Sequence, residues 1–200
     1  MTDAQDLTDA VIRKLFIELE ASGRHVHLTV SQAETLFGER LQEKRPLSQP
    51  GQFLSRQRVT VIGPKGRFEN VAVLGPERKE GQVELSLTDC RTIGIQAPIR
   101  LSGDVSGTPG AILEGPNGMV ELSEGVIVAK RHIHLTEEAA ERFGVRDGQR
   151  VKLQTFTERP CIFDDVIIRV SKKFAPYVHL DFDEANACGY KKGDLGRILP

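Results

Sequence analysis

The chain is poor in several things that would each define a class of protein. It has three cysteines in 200 residues, Cys90, Cys161 and Cys188, an odd number without C-x-x-C spacing. That excludes a disulfide framework and fits a reducing cytosol. No run approaches the ~18 apolar residues of a membrane span, and the acidic N-terminus lacks the basic start of a secretory signal. The formal net charge of −1 argues against general nucleic-acid binding. What remains, 39% hydrophobic and 28% charged residues, is ordinary for a soluble globular chain with room for one large or two small domains.

Histidine is scarce too, which makes its placement informative. Four of the five histidines form two copies of His-x-His, in "GRHVHL" (23–28) and "KRHIHL" (130–135). The likeness extends: "RHVHLTVSQAETLFG" (24–38) aligns with "RHIHLTEEAAERFG" (131–144) once one residue is dropped, at an offset of 107 residues. That offset is too long for a solenoid repeat and suits two related half-units.

Most of the chain reads as short strands. "FIELEA" (16–21) alternates apolar and acidic residues, and similar alternation marks "RVTVIG", "VAVLG", "QVELSL", "GVIVAKRHIHL", "RVKLQTF", "DVIIRV" and "YVHLDF". Many short strands punctuated by Gly/Pro turns point to barrels or sandwiches rather than a βαβ sheet. Helices are few and short. Thr29 and Thr136 follow the two His-x-His-Leu runs as N-caps, Gln32 completes a capping box, and Phe-Gly ends both segments where glycine can adopt the left-handed cap. A third helix is expected over 4–15, and 43–53, with two prolines and a glycine, is expected to be irregular.

In a strand, residues i and i+2 point to one face, so each His-x-His can aim two imidazoles at one point. Two nitrogens so placed suit a tetrahedral zinc site that needs one or two more ligands. His179, in "YVHLDF", is the available third ligand for one pair; for the other, a carboxylate or thiolate must serve, and pattern alone does not choose it. From Arg40 to Lys79 there are nine Lys/Arg against three Glu, a local excess that suits an anionic ligand.

At these residues the chain resembles the phosphotransacylases associated with bacterial microcompartments, the phosphate propanoyltransferases of the PduL type. The motifs that carry the resemblance are "SGRHVHLT", "PLSQPGQF", "VLGPERKEGQVE", "SGDVSGTPG", "AKRHIHLT" and "HLDFDEANACG", in family order. The resemblance implies a mainly β fold of two β-barrels capped by short helices. After a short N-terminal extension (1–14), one barrel would take 15–23 plus 130–200 and the other 24–129. It implies His25, His27 and Glu84 as ligands of one zinc and His132, His134 and His179 as ligands of a second, in the cleft between barrels. Arg78 matches the family's phosphate-binding arginine, and Ser22 and Asn186 match residues near coenzyme A. Gly81 stands where the family usually carries threonine. The implied reaction interconverts a short-chain acyl-CoA, propionyl or acetyl, plus phosphate with acyl phosphate plus CoA. The expected partners are these substrates and further copies of the chain as a dimer or higher homo-oligomer, with no nucleic acid and no membrane. Fifteen residues precede "FIELEA", fewer than members targeted to a microcompartment usually carry, so the cytoplasm is the expected location and the microcompartment lumen the alternative. A dinuclear zinc hydrolase and a barrel pair with structural zinc are the competing readings.

Overall fold

The computed structural model describes residues 15–199; the helix expected over 4–15 falls, but for its last residue, outside them. The fold is mainly β, 44% strand against 16% helix among the described residues. The chain divides into two compact units, one formed by the segment ending at Ser22 together with the segment from Arg131 onward, the other by Gly23–Lys130.

In the first unit, β1 (Ile17–Ser22), β11 (His132–Leu135), β12 (Arg150–Phe156), β13 (Ile162–Val170), β14 (Tyr177–Asp181) and β15 (Leu195–Leu199) form a closed barrel in the order β1-β14-β11-β13-β12-β15. The alternation read in the sequence supplies its core. Ile17, Leu19, Ile133, Leu135, Leu153, Ile168, Val178 and Leu180 are buried together in a single apolar cluster. Closure leaves no exposed edge to pair with another chain.

The second unit is a curled nine-stranded sheet. Its strands are β2 (His25–His27), β3 (Glu43–Pro46), β4 (Phe53–Gly63), β5 (Gly66–Gly75), β6 (Gln82–Glu84), β7 (Ile99–Arg100), β8 (Ala111–Glu114), β9 (Met119–Leu122) and β10 (Val126–Ala129). They run β7-β10-β6-β2-β5-β4-β8-β9, with β3 on the flank of β4. The core gathers Val26, Leu28, Leu36, Val61, Val73, Val83, Ile93 and Leu113. Burying each such side chain is worth about 1.5–3 kcal/mol.

Four short helices accompany the strands among the described residues: α1 (Val30–Phe37), α2 (Leu87–Ile93), α3 (Glu137–Phe143) and α4 (Phe182–Cys188). Thr29 and Thr136 cap α1 and α3, and Gly38 and Gly144 close them at φ 73° and 66°, the left-handed conformation that favours glycine. Three segments depart from the sequence reading. The alternation in "QVELSL" and "YVHLDF" ends early, because Ser86 and Asp181 cap α2 and α4 there. "GVIVAKRHIHL" is two strands, β10 and β11, broken at Lys130–Arg131 and assigned to different units. The stretch 43–53 contains the short strand β3 on the flank of the sheet, with Pro46 opposite Phe53 at its end, an edge position that tolerates a residue without an N–H. No helix among the described residues is long and apolar enough to cross a membrane.

Candidate metal centres

Each His-x-His strand lies between one antiparallel and one parallel neighbour, and the antiparallel neighbour sets a third potential ligand directly opposite the first histidine. In the second unit β2 pairs with β6, placing His25 opposite Glu84, and with β5, placing His25 beside Ala72. In the first unit β11 pairs with β14, placing His132 opposite His179, and with β13, placing His132 beside Ile167. The intervening residues Val26 and Ile133 point into the two cores and are fully buried. Alternation therefore turns both imidazoles of each pair to the opposite face. Glu84 and His179 are topological equivalents, each two residues before a helix N-cap, Ser86 or Asp181.

The side chains converge as the backbone dictates. His25, His27 and Glu84 form one group and His132, His134 and His179 another, each offering three ligand atoms within 4.8 Å of one another. In the first group His25 Nε2 stands 3.4 Å from Glu84 Oε2 and His27 Nε2 3.8 Å from Oε1. All three residues are buried. His25 Nδ1 lies 2.8 Å from the Gly23 carbonyl. Donating there turns Nε2 toward the carboxylate, the arrangement that orients a metal-bound imidazole.

A closed hydrogen-bond network grips the other side of Glu84. Its Oε1 accepts from Gln82 Nε2 at 2.5 Å and from Ser102 Oγ at 2.9 Å. The second hydrogen of Gln82 Nε2 goes to Ser102 Oγ at 2.9 Å, and Gln82 Oε1 accepts from the Gly103 N–H at 2.7 Å. Ser102 Oγ also accepts from Arg78 Nη1 at 3.0 Å. Both amide hydrogens and the amide oxygen of Gln82 are thereby accounted for, and Glu84 Oε2 is left turned toward His25.

Burial opposes ionisation of Glu84, but the His25 and His27 imidazoles and the Ser102 hydroxyl outweigh it and hold the carboxyl well below the carboxylate range. Burial likewise works against charge on His25, yet Glu84 wins and raises it. For His27, burial and then the His25 and Arg78 charges push it well down. The Leu74 backbone favours a proton on His27, but its Nδ1 finds no hydrogen bond of good geometry. Both directions favour an ionised Glu84 beside a protonated His25, and a divalent cation would compete with protons for these ligand atoms. Two nitrogens and one oxygen form a donor set suited to zinc with an open fourth position. The residues fit the metal.

The second group consists of three rings in contact. His132 and His179 stack with centroids 4.9 Å apart, and His134 meets them edge-on at 4.6 and 4.7 Å. His134 also stacks on Phe174 at 3.9 Å. Glu20, beside His179 across β1–β14, brings Oε2 to 3.4 Å from His179 Nδ1, a carboxylate placed to orient that ring from behind. Three imidazoles match the other common three-ligand zinc set.

Of the remaining sequence candidates, Arg78 is half-buried beside the first group, held by its backbone N–H to the Leu28 carbonyl at 2.8 Å and by the Ser102 contact. Ser22 ends β1 opposite Asp181, half-buried, and Asn186 is exposed on α4. Both belong to the first unit and neither contributes to a ligand group. Part of the basic excess is structural. Arg40 pairs with Glu77, whose carboxyl falls to about 2 through that hydrogen bond, Arg67 pairs with Glu69, and Arg56 and Arg58 donate to backbone carbonyls. Gln82, Ser102 and Glu20 escaped the sequence reading. A signal existed for Gln82 and Glu20, which follow the strand period from Glu84 and Glu18, but their partners are set by register.

A family model described as phosphate propanoyltransferase matches residues 18–191. The chain is 57% identical over 182 residues to a phosphate propanoyltransferase of Leptotrichia buccalis, covering 90% of this chain and 86% of that protein. It is 51% identical over 197 residues to one of Clostridioides difficile, covering 98% and 94%. A third, from Thermotoga maritima, is 51% identical over 181 residues, covering 89% and 86%.

Proposed function

The chain belongs to the phosphate propanoyltransferase family, and from that premise we propose that it interconverts propionyl- or acetyl-CoA plus phosphate with acyl phosphate plus CoA, using two zinc ions held by its two ligand groups. The observation that carries the zinc reading is the duplicated three-ligand geometry, with every ligand atom of a group within 4.8 Å of the others. That both groups serve one reaction is part of the proposal.

In the forward direction a phosphate oxygen attacks the thioester carbonyl carbon. The new C–O bond forms, the C–S bond breaks, and CoA leaves as a thiolate that takes up a proton. Zinc held by these groups would supply Lewis acidity, countering the charge that develops on the thioester oxygen and on the departing thiolate. Arg78 binds phosphate: its planar fork matches two phosphate oxygens, and the Ser102 contact sets its direction. Gln82 and Ser102 hold Glu84 so that Oε2 faces His25. Ser22 and Asn186 contact coenzyme A. Holding two anionic substrates together accounts for a large share of the rate, since proximity alone is worth ~7–11 kcal/mol.

Attack is direct, without an acylated protein. Cys90 and Cys188 are buried, Cys161 is half-buried, and burial pushes the Cys188 thiol up, away from a reactive thiolate. All five histidines belong to the two groups, so none serves as a base for a nucleophile. The test is thiol release from propionyl-CoA with and without phosphate. The proposal expects release that requires phosphate and yields acyl phosphate; phosphate-independent release would mark a hydrolase instead.

A further inference from the structure

We propose that Arg24 with Asp89, and Arg131 with Glu184, are positioning residues that lock each His-x-His strand in register with the strand carrying its third ligand. The inference rests on reading the two groups as metal centres.

The same linkage is built twice. Arg24 immediately precedes His25, and Asp89 lies five residues after Glu84; Arg131 immediately precedes His132, and Glu184 lies five residues after His179. Arg24 Nη2 and Nε reach the two Asp89 oxygens at 2.7 and 3.2 Å, and Arg131 Nε reaches Glu184 Oε1 at 2.8 Å. In both units the carboxylate is the N3 residue of a capping box. Asp89 also accepts from the Ser86 N–H, and Glu184 from the Asp181 N–H. In both units the guanidinium lies over a phenylalanine, Arg24 at 4.1 Å from the Phe68 ring centre and Arg131 at 5.3 Å from Phe163.

The linkage closes a ring through the ligand strands. It starts one residue before the first histidine, crosses the side-chain pair to the N3 carboxylate, passes through that carboxylate's hydrogen bond to the N-cap N–H, returns two residues to the third ligand, and crosses back through the β-ladder. A one-residue slip would displace the third ligand by about 3.4 Å and turn it to the other face. The side-chain pair opposes that slip at a point the ladder does not control. Arginine suits the task because its planar fork fixes direction and its face packs on an aromatic ring. The carboxylates and caps differ between the units, Asp with Ser and Glu with Asp, while the wiring is the same. A pair that only anchored a helix would have no reason to begin beside a ligand in both.

The test uses the full chain with one ligand group removed. In a His132→Ala, His134→Ala background, zinc affinity measured against a chromophoric chelator at pH 8 reports the His25/His27/Glu84 group. Asp89→Asn keeps a cap acceptor and removes the charge; Arg24→Met leaves the cap untouched. Each should weaken zinc by about ten- to a hundredfold, the usual effect of losing a residue that orients a ligand. In the complementary His25→Ala, His27→Ala background the same changes should leave zinc affinity unaltered, whereas Glu184→Gln and Arg131→Met should weaken it. If Asp89→Asn proves unfolded, Arg24→Met tests the same linkage from its other end. A lowered melting temperature with zinc affinity unchanged in the folded protein would overturn the proposal, as would equal losses at both groups. Zinc binding absent in the parent backgrounds would overturn the metal-centre reading and this one with it.

Discussion

Replacing Gln82 with leucine removes the buried amide that sets the orientation of Glu84 while keeping comparable volume. Gln82 is 2% exposed and makes three hydrogen bonds, to Glu84, Ser102 and the Gly103 N–H. The Gly103 amide sits on an exposed residue and can turn to water, and Ser102 keeps its contacts with Glu84 and Arg78. The cost therefore concentrates on Glu84 Oε1, which loses one of two donors while ionised in a buried site. A hydrogen bond to a charged group is worth about 1.5–3 kcal/mol, so Gln82→Leu should destabilise the metal-free protein by roughly 2 kcal/mol. The carboxylate also becomes free to rotate, which should weaken zinc about tenfold or more. By linkage a tenfold weaker site forfeits about 1.4 kcal/mol of the stabilisation that saturating zinc confers. Urea unfolding with and without zinc separates the two effects. A fall in metal-free stability with an undiminished zinc increment would refute the orienting role and leave Gln82 as a packing residue.

Arg78→Ala should raise the KM for phosphate about ten- to a hundredfold, as expected for one lost charge-assisted hydrogen bond, with far less effect on the KM for acyl-CoA; initial rates against each substrate would show it, and an unchanged phosphate KM would reassign the role. Burial and the neighbouring Asp181 charge outweigh Arg131 and raise the Glu184 carboxyl from 4.5 to about 7. The folded state therefore binds the proton more tightly than the unfolded chain. The resulting stability is fully present below pH 4.5 and is lost as pH rises to about 7, a change on the order of 1–3 kcal/mol. Glu184→Gln should flatten the dependence of urea midpoint on pH across that window, and an unaltered slope would show that other groups produce it.

The duplicated strands and their helices were legible because their causes are local. The i, i+2 spacing aims the imidazoles, and threonine caps and Phe-Gly stops need no distant partner. The α2 and α4 starts were hidden because strand alternation runs on through Leu87 and Phe182, and only the cap geometry at Ser86 and Asp181 shows where it stops. The third ligand of the first group was beyond pattern reasoning, since any of 28 acidic residues could serve; the resemblance pointed to Glu84. Its equivalence to His179 is visible only in the ladder, where both face the first histidine of a pair. The support around it is less legible still, because Ser102 and Gln82 are 20 residues apart and meet through folding of the whole unit.

Stepwise return of zinc to the chelator-stripped full-length chain, with phosphate-dependent thiol release from propionyl-CoA recorded at each step, tests most directly the claim that two metal centres serve one phosphate acyl transfer. Activity should rise to a plateau at two equivalents per chain, and the His25→Ala and His132→Ala chains should each bind one equivalent and stay inactive. Full activity at one equivalent, or in the stripped protein, would contradict the account.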